Sequence, residues 1–253
     1  MSIIFVPDCI SCCFESDYKM VVSKDTSNKL EVFYAQTKDL SSGYSNLQNY
    51  ITNDEQIKAD KFHFDKDRET YISCHALLRL ILSKRLNISP LELSFNNTIN
   101  NKSCLTGNPV YFNISNASEA FAFAISRDFY VGIDLENVNQ RIDFNSIIET
   151  FFTDKEREYI LGSQFEARDR FFFLWTRKEA LLKAIGTGIL TDCKQVEVYK
   201  EENVPEMKSI DNLILMVECD KHFIYSKKLS NYFLSIATPQ MAKIILNQIN
   251  SFE

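Results

Sequence analysis

Two segments of the chain resemble each other, and this internal repeat limits the folds that the sequence can adopt. Residues 52–79 read TNDEQIKADKFHFDKDRETYISCHALLR, and residues 153–183 read TDKEREYILGSQFEARDRFFFLWTRKEALLK. Both begin with a threonine and acidic residues typical of a helix start, contain an Asp-Arg pair, and end in Ala-Leu-Leu followed by a basic residue. The repeat favours two related halves. Chance recurrence of Ala-Leu-Leu in helices is the alternative at this point.

Patterns typical of strands and helices follow one another irregularly along the chain. Runs rich in β-branched and aromatic residues predict strands at KLEVFYAQ, VYFNIS, AFAFAIS, YVGIDLENV, QVEVYK, LILMVE and NYFLSIAT. Helical periodicity predicts helices over Glu55–Asn87 with a break near Phe64, Phe144–Phe152, Lys155–Leu161 and Ala167–Ile185. Runs of strands interrupted by a few helices predict an α+β fold with antiparallel sheets, not alternating βαβ units.

The composition is typical of a globular protein and argues against two classes of partner. The chain is 45% hydrophobic and 25% charged, and no run approaches the roughly 18 apolar residues that span a membrane. A net charge of −6 without a basic stripe argues against nucleic-acid binding. The start, MSIIFVPDCISCCFESD, lacks the pattern of a signal peptide, and seven scattered cysteines predict reduced thiols. We therefore expect a cytoplasmic protein.

Two acidic residues in the string YVGIDLENV are candidates for a metal site. Asp134 and Glu136 are two positions apart on a predicted strand, so their side chains lie on the same face. Neighbouring carboxylates repel each other, and a hard divalent cation such as Mg²⁺ relieves the repulsion. The alternative is an exposed strand face with two solvated acids.

A second candidate cluster lies on the predicted helix that contains WTRKEALLKAIGTG. Trp175, Glu179 and Lys183 follow each other at helical spacing, so that an aromatic residue, an acid and a base form one stripe. This stripe alone is also compatible with a surface ion pair. Together with the carboxylate pair, it indicates chemistry on a pyrophosphate, in which a metal neutralises charge on the bridging oxygens and a lysine binds a phosphate.

These strings resemble the 4′-phosphopantetheinyl transferase superfamily. VGIDLE, FFTDKEREY and LWTRKEALLKAIGTGI match, in order and spacing, the signature of its surfactin-synthetase-activating type. The similarity extends upstream through KADKFHFDKDRETYISCHALLR, NKSCLTGNP and FNISNAS, and it covers most of residues 52–200. It implies a monomer of two similar halves related by a pseudo-twofold axis, each an antiparallel sheet packed with a long helix.

The resemblance also implies a domain organisation and an activity. Residues 1–128 would form an N-terminal half that contacts the nucleotide of coenzyme A, and residues 129–253 a C-terminal half with the metal and catalytic residues. The active site would lie in the cleft between them. The implied reaction transfers the 4′-phosphopantetheine group of coenzyme A to a serine of an apo acyl or peptidyl carrier protein, giving holo-carrier protein and 3′,5′-ADP. The carrier would dock near residues 187–194 and the preceding helix.

Two other functions are compatible with the same residues. One is a magnesium-dependent nucleotide pyrophosphate hydrolase, which needs a positioned water instead of a protein acceptor. The other is a module that binds carrier proteins without catalysis. The intact charged cluster of Asp134, Glu136, Glu179 and Lys183 argues against the second.

Particular residues receive roles from the resemblance. Asp134, Glu136 and Glu179 would bind Mg²⁺ against the pyrophosphate, and Lys183 would contact phosphate oxygens. Either Glu179 or Glu156, directly or through a metal-bound water, would deprotonate the carrier serine. In the repeat, His75 occupies the position of Glu179, so only the second half keeps the acid. The residues expected to contact the nucleotide phosphates are Lys58, Lys61, Arg68, Lys102, Ser115 and Asn116.

Two positions depart from the family pattern. Ser115 is followed by Asn116, where the family usually has a histidine near the 3′-phosphate of coenzyme A. Asparagine donates a hydrogen bond but carries no charge, so we expect weak dependence on the 3′-phosphate and no histidine-type titration of coenzyme A binding. Ser103 stands where a proline often follows the lysine that corresponds to Lys102.

Overall fold

A computed structural model describes residues 28–97, 102–107, 109–186, 194, 196–199, 211–217 and 220–252. Within these ranges the chain forms two compact units. The first contains the residues up to Asp128, except Lys102, together with those from Ala242 onward. The second contains Lys102 and the described part of Phe129–Met241. No helix in the described ranges has the length and apolar character that a membrane crossing requires.

The regular elements are named here in chain order. The strands are β1 (Lys29–Gln36), β2 (Phe95–Asn97), β3 (Ser103–Leu105), β4 (Tyr111–Ala117), β5 (Ala120–Ser126), β6 (Gly132–Asn137), β7 (Asp211–Val217), β8 (Asp220–Leu229), β9 (Tyr232–Thr238) and β10 (Lys243–Ile249). The α-helices are α1 (Tyr44–Leu47), α2 (Asn53–Ala59), α3 (Asp65–Leu86), α4 (Asn145–Phe151), α5 (Asp154–Leu161) and α6 (Ala167–Ile185). Short 3₁₀ helices lie at Thr37–Gly43, Gln48–Tyr50 and Pro90–Glu92.

The first unit is built on a four-stranded sheet in the order β10-β1-β5-β4. Strand β5 is buried along its whole length because it is a central strand and is apolar on both faces. Helix α3 belongs to the same core, which includes Ile72 and Leu77 of the helix and Phe121 and Phe123 of β5. Burial of these large side chains supplies most of the stability of such a unit.

The prediction of an antiparallel sheet in this unit is wrong. Strand β1 is antiparallel to β5 but parallel to β10. The parallel pair joins strands from opposite ends of the described chain, and local sequence patterns carry no information about such distant pairing. The prediction of an α+β fold is confirmed.

A buried ion pair connects α2 to α3 in the first unit. Thr52 and Glu55 form a capping box at the start of α2. The Glu55 carboxylate also accepts a hydrogen bond from Arg79 of α3 at 2.8 Å, and both side chains are buried. Arg79 donates further to the carbonyl oxygens of Pro90 and Leu93, at 2.7 and 2.9 Å. One guanidinium therefore holds two helices and the segment that follows α3.

The second unit has an antiparallel sheet in the order β6-β9-β8-β7, and α6 packs against it. Its core is rich in aromatic residues, with Phe171, Phe172 and Phe233 among its buried members. Helix α6 ends at Gly186, whose φ of 82° is the left-handed conformation that favours glycine at a helix end.

Most of the predicted elements are confirmed, and one predicted strand is wrong. The predicted helix Ala167–Ile185 coincides with α6, and the break near Phe64 separates α2 from α3. The string QVEVYK was predicted as a strand, but its residues 196–199 have no regular structure. Buried side chains, not a neighbouring strand, bind the backbone there: Val198 N–H donates to Glu156 at 2.7 Å, and Val198 O accepts from Arg177 at 2.9 Å.

Replacement of Glu55 tests the buried ion pair of the first unit. Glu55→Gln leaves the Arg79 charge buried without its counter-ion, so we expect the free energy of unfolding to fall by about 3 kcal/mol. Asp65→Asn breaks the exposed Asp65–Arg68 pair and is expected to cost less than about 1 kcal/mol. Urea denaturation at neutral pH measures both values, and equal small losses would contradict the role of the buried pair.

The pH dependence of stability gives a second measure of the same pair. Burial alone would raise the pKa of Glu55, but hydrogen bonds from Arg79 and from the Thr52 backbone lower it below its usual value. The pair therefore contributes fully above the pKa of an unfolded glutamate, and the contribution is lost as the pH falls through the lower folded pKa. We expect the difference between wild type and Glu55→Gln to shrink over that acid range.

Candidate active site

Strand β6 presents its even-numbered residues to helix α6. Residues Gly132, Asp134 and Glu136 share one face of the strand, because side chains alternate along a strand. A β-carbon at Gly132 would lie 2.0 Å from the carbonyl oxygen of Ala180 and 2.3 Å from the backbone nitrogen of Ala184. Glycine therefore allows the strand to lie against the last turns of α6, and its face carries the two acids toward the helix.

Helix α6 supplies a carboxylate and an ammonium group to the same place. Glu179 and Lys183 are four residues apart and lie on one side of the helix. The Lys183 ammonium lies 2.6 Å from Oδ1 of Asp134, whose side chain is only 5% exposed. Glu179 is also buried, with 9% of its surface exposed. The strand and the helix thus meet at an ion pair between Asp134 and Lys183.

Asp134, Glu136, Glu179 and Lys183 are called the Asp134–Lys183 group below. Ionisation of one carboxylate in this group makes ionisation of its neighbours less favourable. Burial, followed by the charge of Asp134, raises the pKa of Glu136 to about 7, although a hydrogen bond from Gln140 and the charge of Lys183 oppose the rise. Burial and Asp134 likewise raise the pKa of Glu179 to about 7, and Lys183 again opposes the rise. Carboxylates whose pKa values are raised by burial and by a neighbouring acid are common in functional sites.

The carboxylates of Asp134, Glu136 and Glu179 are chemically suited to bind a hard divalent cation. Three carboxylates offer the oxygen ligands that Mg²⁺ prefers, and a cation would relieve the repulsion that raises the pKa values of Glu136 and Glu179. In the described part of the chain, however, no three acidic, cysteine or histidine side chains already stand close enough to enclose a metal ion. The Lys183 ammonium provides the positive charge next to Asp134. A metal site here remains a prediction.

Glu156 lies in a different environment from this group. Its side chain is fully buried and forms an ion pair with Lys178 at 2.8 Å. One carboxylate oxygen also caps α5 by accepting from the backbone of Thr153 at 3.0 Å, and the other accepts from the backbone of Val198 at 2.7 Å. Both oxygens are therefore engaged in holding α5, α6 and residues 196–198 together.

The residues expected to contact the nucleotide differ in their surroundings. Lys58, Lys61 and Asn116 are exposed in the first unit, and Ser115 is buried on β4. Arg68 forms an exposed ion pair with Asp65 at 2.6 Å. All five belong to the first unit, and their contact with a nucleotide remains a prediction.

The remaining predicted features are Lys102, the docking region and Trp175. Lys102 belongs to the second unit, where Nζ donates to the carbonyl oxygens of Val131 and Lys183, at 2.9 and 2.8 Å. The docking region at residues 187–194 lies outside the described residues, apart from Lys194. Trp175 packs in an aromatic cluster, with its ring stacked on Phe171.

A buried polar network beneath α6 was not predicted from the sequence. Thr176 binds Ser235 at 2.8 Å, Ser235 binds Ser226 at 2.9 Å, and Arg177 donates to Ser226 at 3.0 Å. The string TRK before Glu179 contained a signal, since three consecutive polar residues on an apolar helix cannot all face solvent. The network fixes α6 on β8 and β9, next to the Asp134–Lys183 group.

Comparison with known proteins shows a similarity to one family. Residues 130–237 match the sequence profile of the 4′-phosphopantetheinyl transferase superfamily, and this range includes Asp134, Glu136, Glu156, Glu179 and Lys183. The matched range is similar to that superfamily over the elements that carry the candidate site.

The chain is also similar to individual phosphopantetheinyl transferases. The 4′-phosphopantetheinyl transferase HetI of Nostoc sp. is 31% identical over 144 residues, which cover 55% of this chain and 61% of HetI. The 4′-phosphopantetheinyl transferase psf-1 of Bacillus pumilus is 29% identical over 145 residues, or 56% of this chain and 61% of psf-1. The L-aminoadipate-semialdehyde dehydrogenase-phosphopantetheinyl transferase of Rattus norvegicus is 25% identical over 205 residues, or 74% and 66%. The matches thus cover less than two thirds of the relatives' length.

The close approach of β6 to α6 is tested by Gly132→Ala. The added methyl group meets backbone atoms that cannot rotate away, so the strand or the helix must shift, at an expected cost of about 1–3 kcal/mol in stability. Gly107→Ala is the matched control, because its β-carbon meets open space and only its positive φ carries a cost, of about 1 kcal/mol. Thermal denaturation compares the two variants. A larger loss for Gly107→Ala would contradict the close contact of Gly132 with α6.

Proposed function

We propose that this protein transfers the 4′-phosphopantetheine group of coenzyme A to a serine of an apo acyl or peptidyl carrier protein, in a reaction that requires Mg²⁺. The observation that carries the proposal is the joining of Asp134, Glu179 and Lys183 by β6 and α6, inside the range that matches the superfamily. The relatives' names, which specify phosphopantetheinyl transferases, support it.

The reaction exchanges one P–O bond for another. The serine Oγ attacks the β-phosphorus of coenzyme A and loses its proton to a base. The bond between that phosphorus and the oxygen bridging to the α-phosphate breaks, and 3′,5′-ADP leaves with the bonding electrons. The carrier keeps a phosphodiester to pantetheine, so the reaction consumes no water.

We infer that Glu179, not Glu156, takes the serine proton. Glu179 lies close enough to Asp134 and Lys183 to feel the charge of both, so its carboxylate belongs to the group proposed to bind the phosphates. Glu156 is engaged by Lys178, Thr153 and Val198 and has no exposed surface. Its role is then to hold α5 against α6.

Asp134, Glu136 and Glu179 would hold the Mg²⁺ ion, which when bound would neutralise charge on the pyrophosphate oxygens. Lys183 would bind phosphate oxygens, since its ammonium already lies beside Asp134 and its side chain is 31% exposed. Its charge would also stabilise the leaving 3′,5′-ADP.

The first unit is proposed to bind the nucleotide. Lys58 and Lys61 are exposed cations, and Arg68 forms an ion pair with the exposed Asp65. Asn116 is exposed at the position where the family has a histidine, next to Ser115. These residues offer hydrogen bonds and positive charge to phosphates, and the amide of Asn116 carries no charge.

The two units are also proposed to be related halves of a monomer. Each has a helix with a threonine–glutamate capping box, and in each the glutamate binds a basic residue of the following long helix. The pairs are Glu55–Arg79 and Glu156–Lys178, both at 2.8 Å. The repeat aligns Arg79 with Lys183, so the basic partners are not at equivalent positions.

Three further expectations belong to the same proposal. The domain boundary is proposed near residue 128. The carrier is proposed to dock near residues 187–194. A reducing, cytoplasmic location is also proposed, from the seven scattered cysteines of the sequence.

Mass spectrometry of an apo acyl carrier protein tests the activity. Incubation with wild-type enzyme, coenzyme A and Mg²⁺ should add one phosphopantetheine to the carrier, and Glu179→Gln should reduce the rate by at least about 100-fold because both the ligand and the base are lost. Glu158→Gln, an exposed acid outside the group, is the control and should keep full activity. No addition to several unrelated carriers, with 3′,5′-ADP released in their absence, would indicate a hydrolase instead.

The role of Asn116 is tested with coenzyme A and 3′-dephospho-coenzyme A. Because Asn116 carries no charge, we expect kcat/KM for the two donors to differ by less than about tenfold, without a step near pH 6.5. Asn116→His should increase the preference for coenzyme A and introduce such a step. A large preference already present in the wild type would contradict the expectation.

A further inference from the structure

The Lys102 side chain connects the start of strand β6 to the end of helix α6. These two elements carry the carboxylates of Asp134, Glu136 and Glu179. Its Nζ donates to the carbonyl oxygen of Val131 at 2.9 Å and to that of Lys183 at 2.8 Å. Val131 lies immediately before β6, and Lys183 lies in the last turn of α6. One ammonium group thus joins the start of the strand to the end of the helix.

The end of α6 is a place where such a cation is stabilised. The last carbonyl groups of a helix lack partners within the helix, and they carry the negative end of the helix dipole. In α6 the Gly186 N–H closes the helix on Leu182 O, and Lys102 binds the next carbonyl, that of Lys183. Burial lowers the pKa of Lys102 to about 8, so the ammonium form still dominates at neutral pH.

Lys183 is held at both ends as a result. Its backbone carbonyl binds Lys102, and its side chain binds Asp134 at 2.6 Å. At the same strand–helix boundary, Gly132 allows close contact with Ala180 and Ala184. A shift of the last turn of α6 would therefore move the Lys183 ammonium away from the strand carboxylates.

We propose that Lys102 is a positioning residue that fixes Lys183 and the end of α6 against β6, and that this is its contribution to transfer instead of a contact with the nucleotide. The proposal rests on the proposed function, since the group that Lys102 aligns is the one assigned to phosphate and Mg²⁺. Lys102 acts through Lys183 and does not touch the reacting atoms.

Steady-state kinetics of Lys102→Met separate the two roles. A positioning role predicts that kcat falls about tenfold to 100-fold while KM for coenzyme A changes less than about twofold, with the same fall for 3′-dephospho-coenzyme A. Lys102→Arg keeps the charge and two donors and should recover most of kcat. A rise in KM for coenzyme A at unchanged kcat, absent with the dephospho donor, would overturn the proposal in favour of a nucleotide contact.

Hydrogen–deuterium exchange provides a readout that does not need activity. In Lys102→Met we expect amides at residues 180–186 to exchange at least about tenfold faster than in wild type, with no change in α3, and in Lys102→Arg we expect near wild-type rates. Lys61→Met, an exposed lysine, is the control and should leave α6 unchanged. Unchanged exchange at residues 180–186 in Lys102→Met would overturn the proposal. If wild type showed no transfer activity, the proposed function would fail while exchange still tested the bridge.

Discussion

The candidate site depends on the close packing of strand β6 against helix α6. Because residue 132 has no side chain, the strand lies where any β-carbon would meet the helix backbone. Because side chains alternate along a strand, Asp134 and Glu136 lie on the same face as Gly132, toward the helix. Because Glu179 and Lys183 are four residues apart, they lie on one side of the helix, toward the strand. The ion pair between Lys183 and Asp134 forms at this contact. A small displacement of β6 or α6 would therefore separate Asp134 from Lys183.

Buried ionic groups hold these elements in one arrangement. Desolvation offsets much of the attraction in a buried ion pair, so such pairs are weak evidence for stability but are costly to break from one side. Glu156 pairs with Lys178 while it also caps α5 and binds the backbone at Val198. Arg177 and the serine pair below α6 add hydrogen bonds that require one position of the helix. Thr176, Arg177 and Lys178, which take part in these contacts, directly precede Glu179 on α6.

Local patterns predicted much of the fold, and the failures have a physical cause. The bounds of α6 follow from helical periodicity, and β5 follows from an unbroken apolar run, because both signals are local. The parallel pairing of β1 with β10 depends on contacts between distant parts of the chain. The predicted strand at residues 196–199 failed because side chains of α5 and α6 bind its backbone. For the site, the acids and lysine are recognisable in the sequence, whereas the commitment of Lys102 to two carbonyl groups is visible only in three dimensions.

The carboxylates of β6 and α6 are proposed to form one Mg²⁺-dependent site for a pyrophosphate. This site is tested by isothermal titration calorimetry of Mg²⁺ into the protein with coenzyme A, compared between wild type and Asp134→Asn. We expect saturable binding in the wild type and its loss in Asp134→Asn, with the variant still folded by circular dichroism. Equal Mg²⁺ affinity in the two proteins would show that Asp134 is not a ligand and would overturn the proposed site.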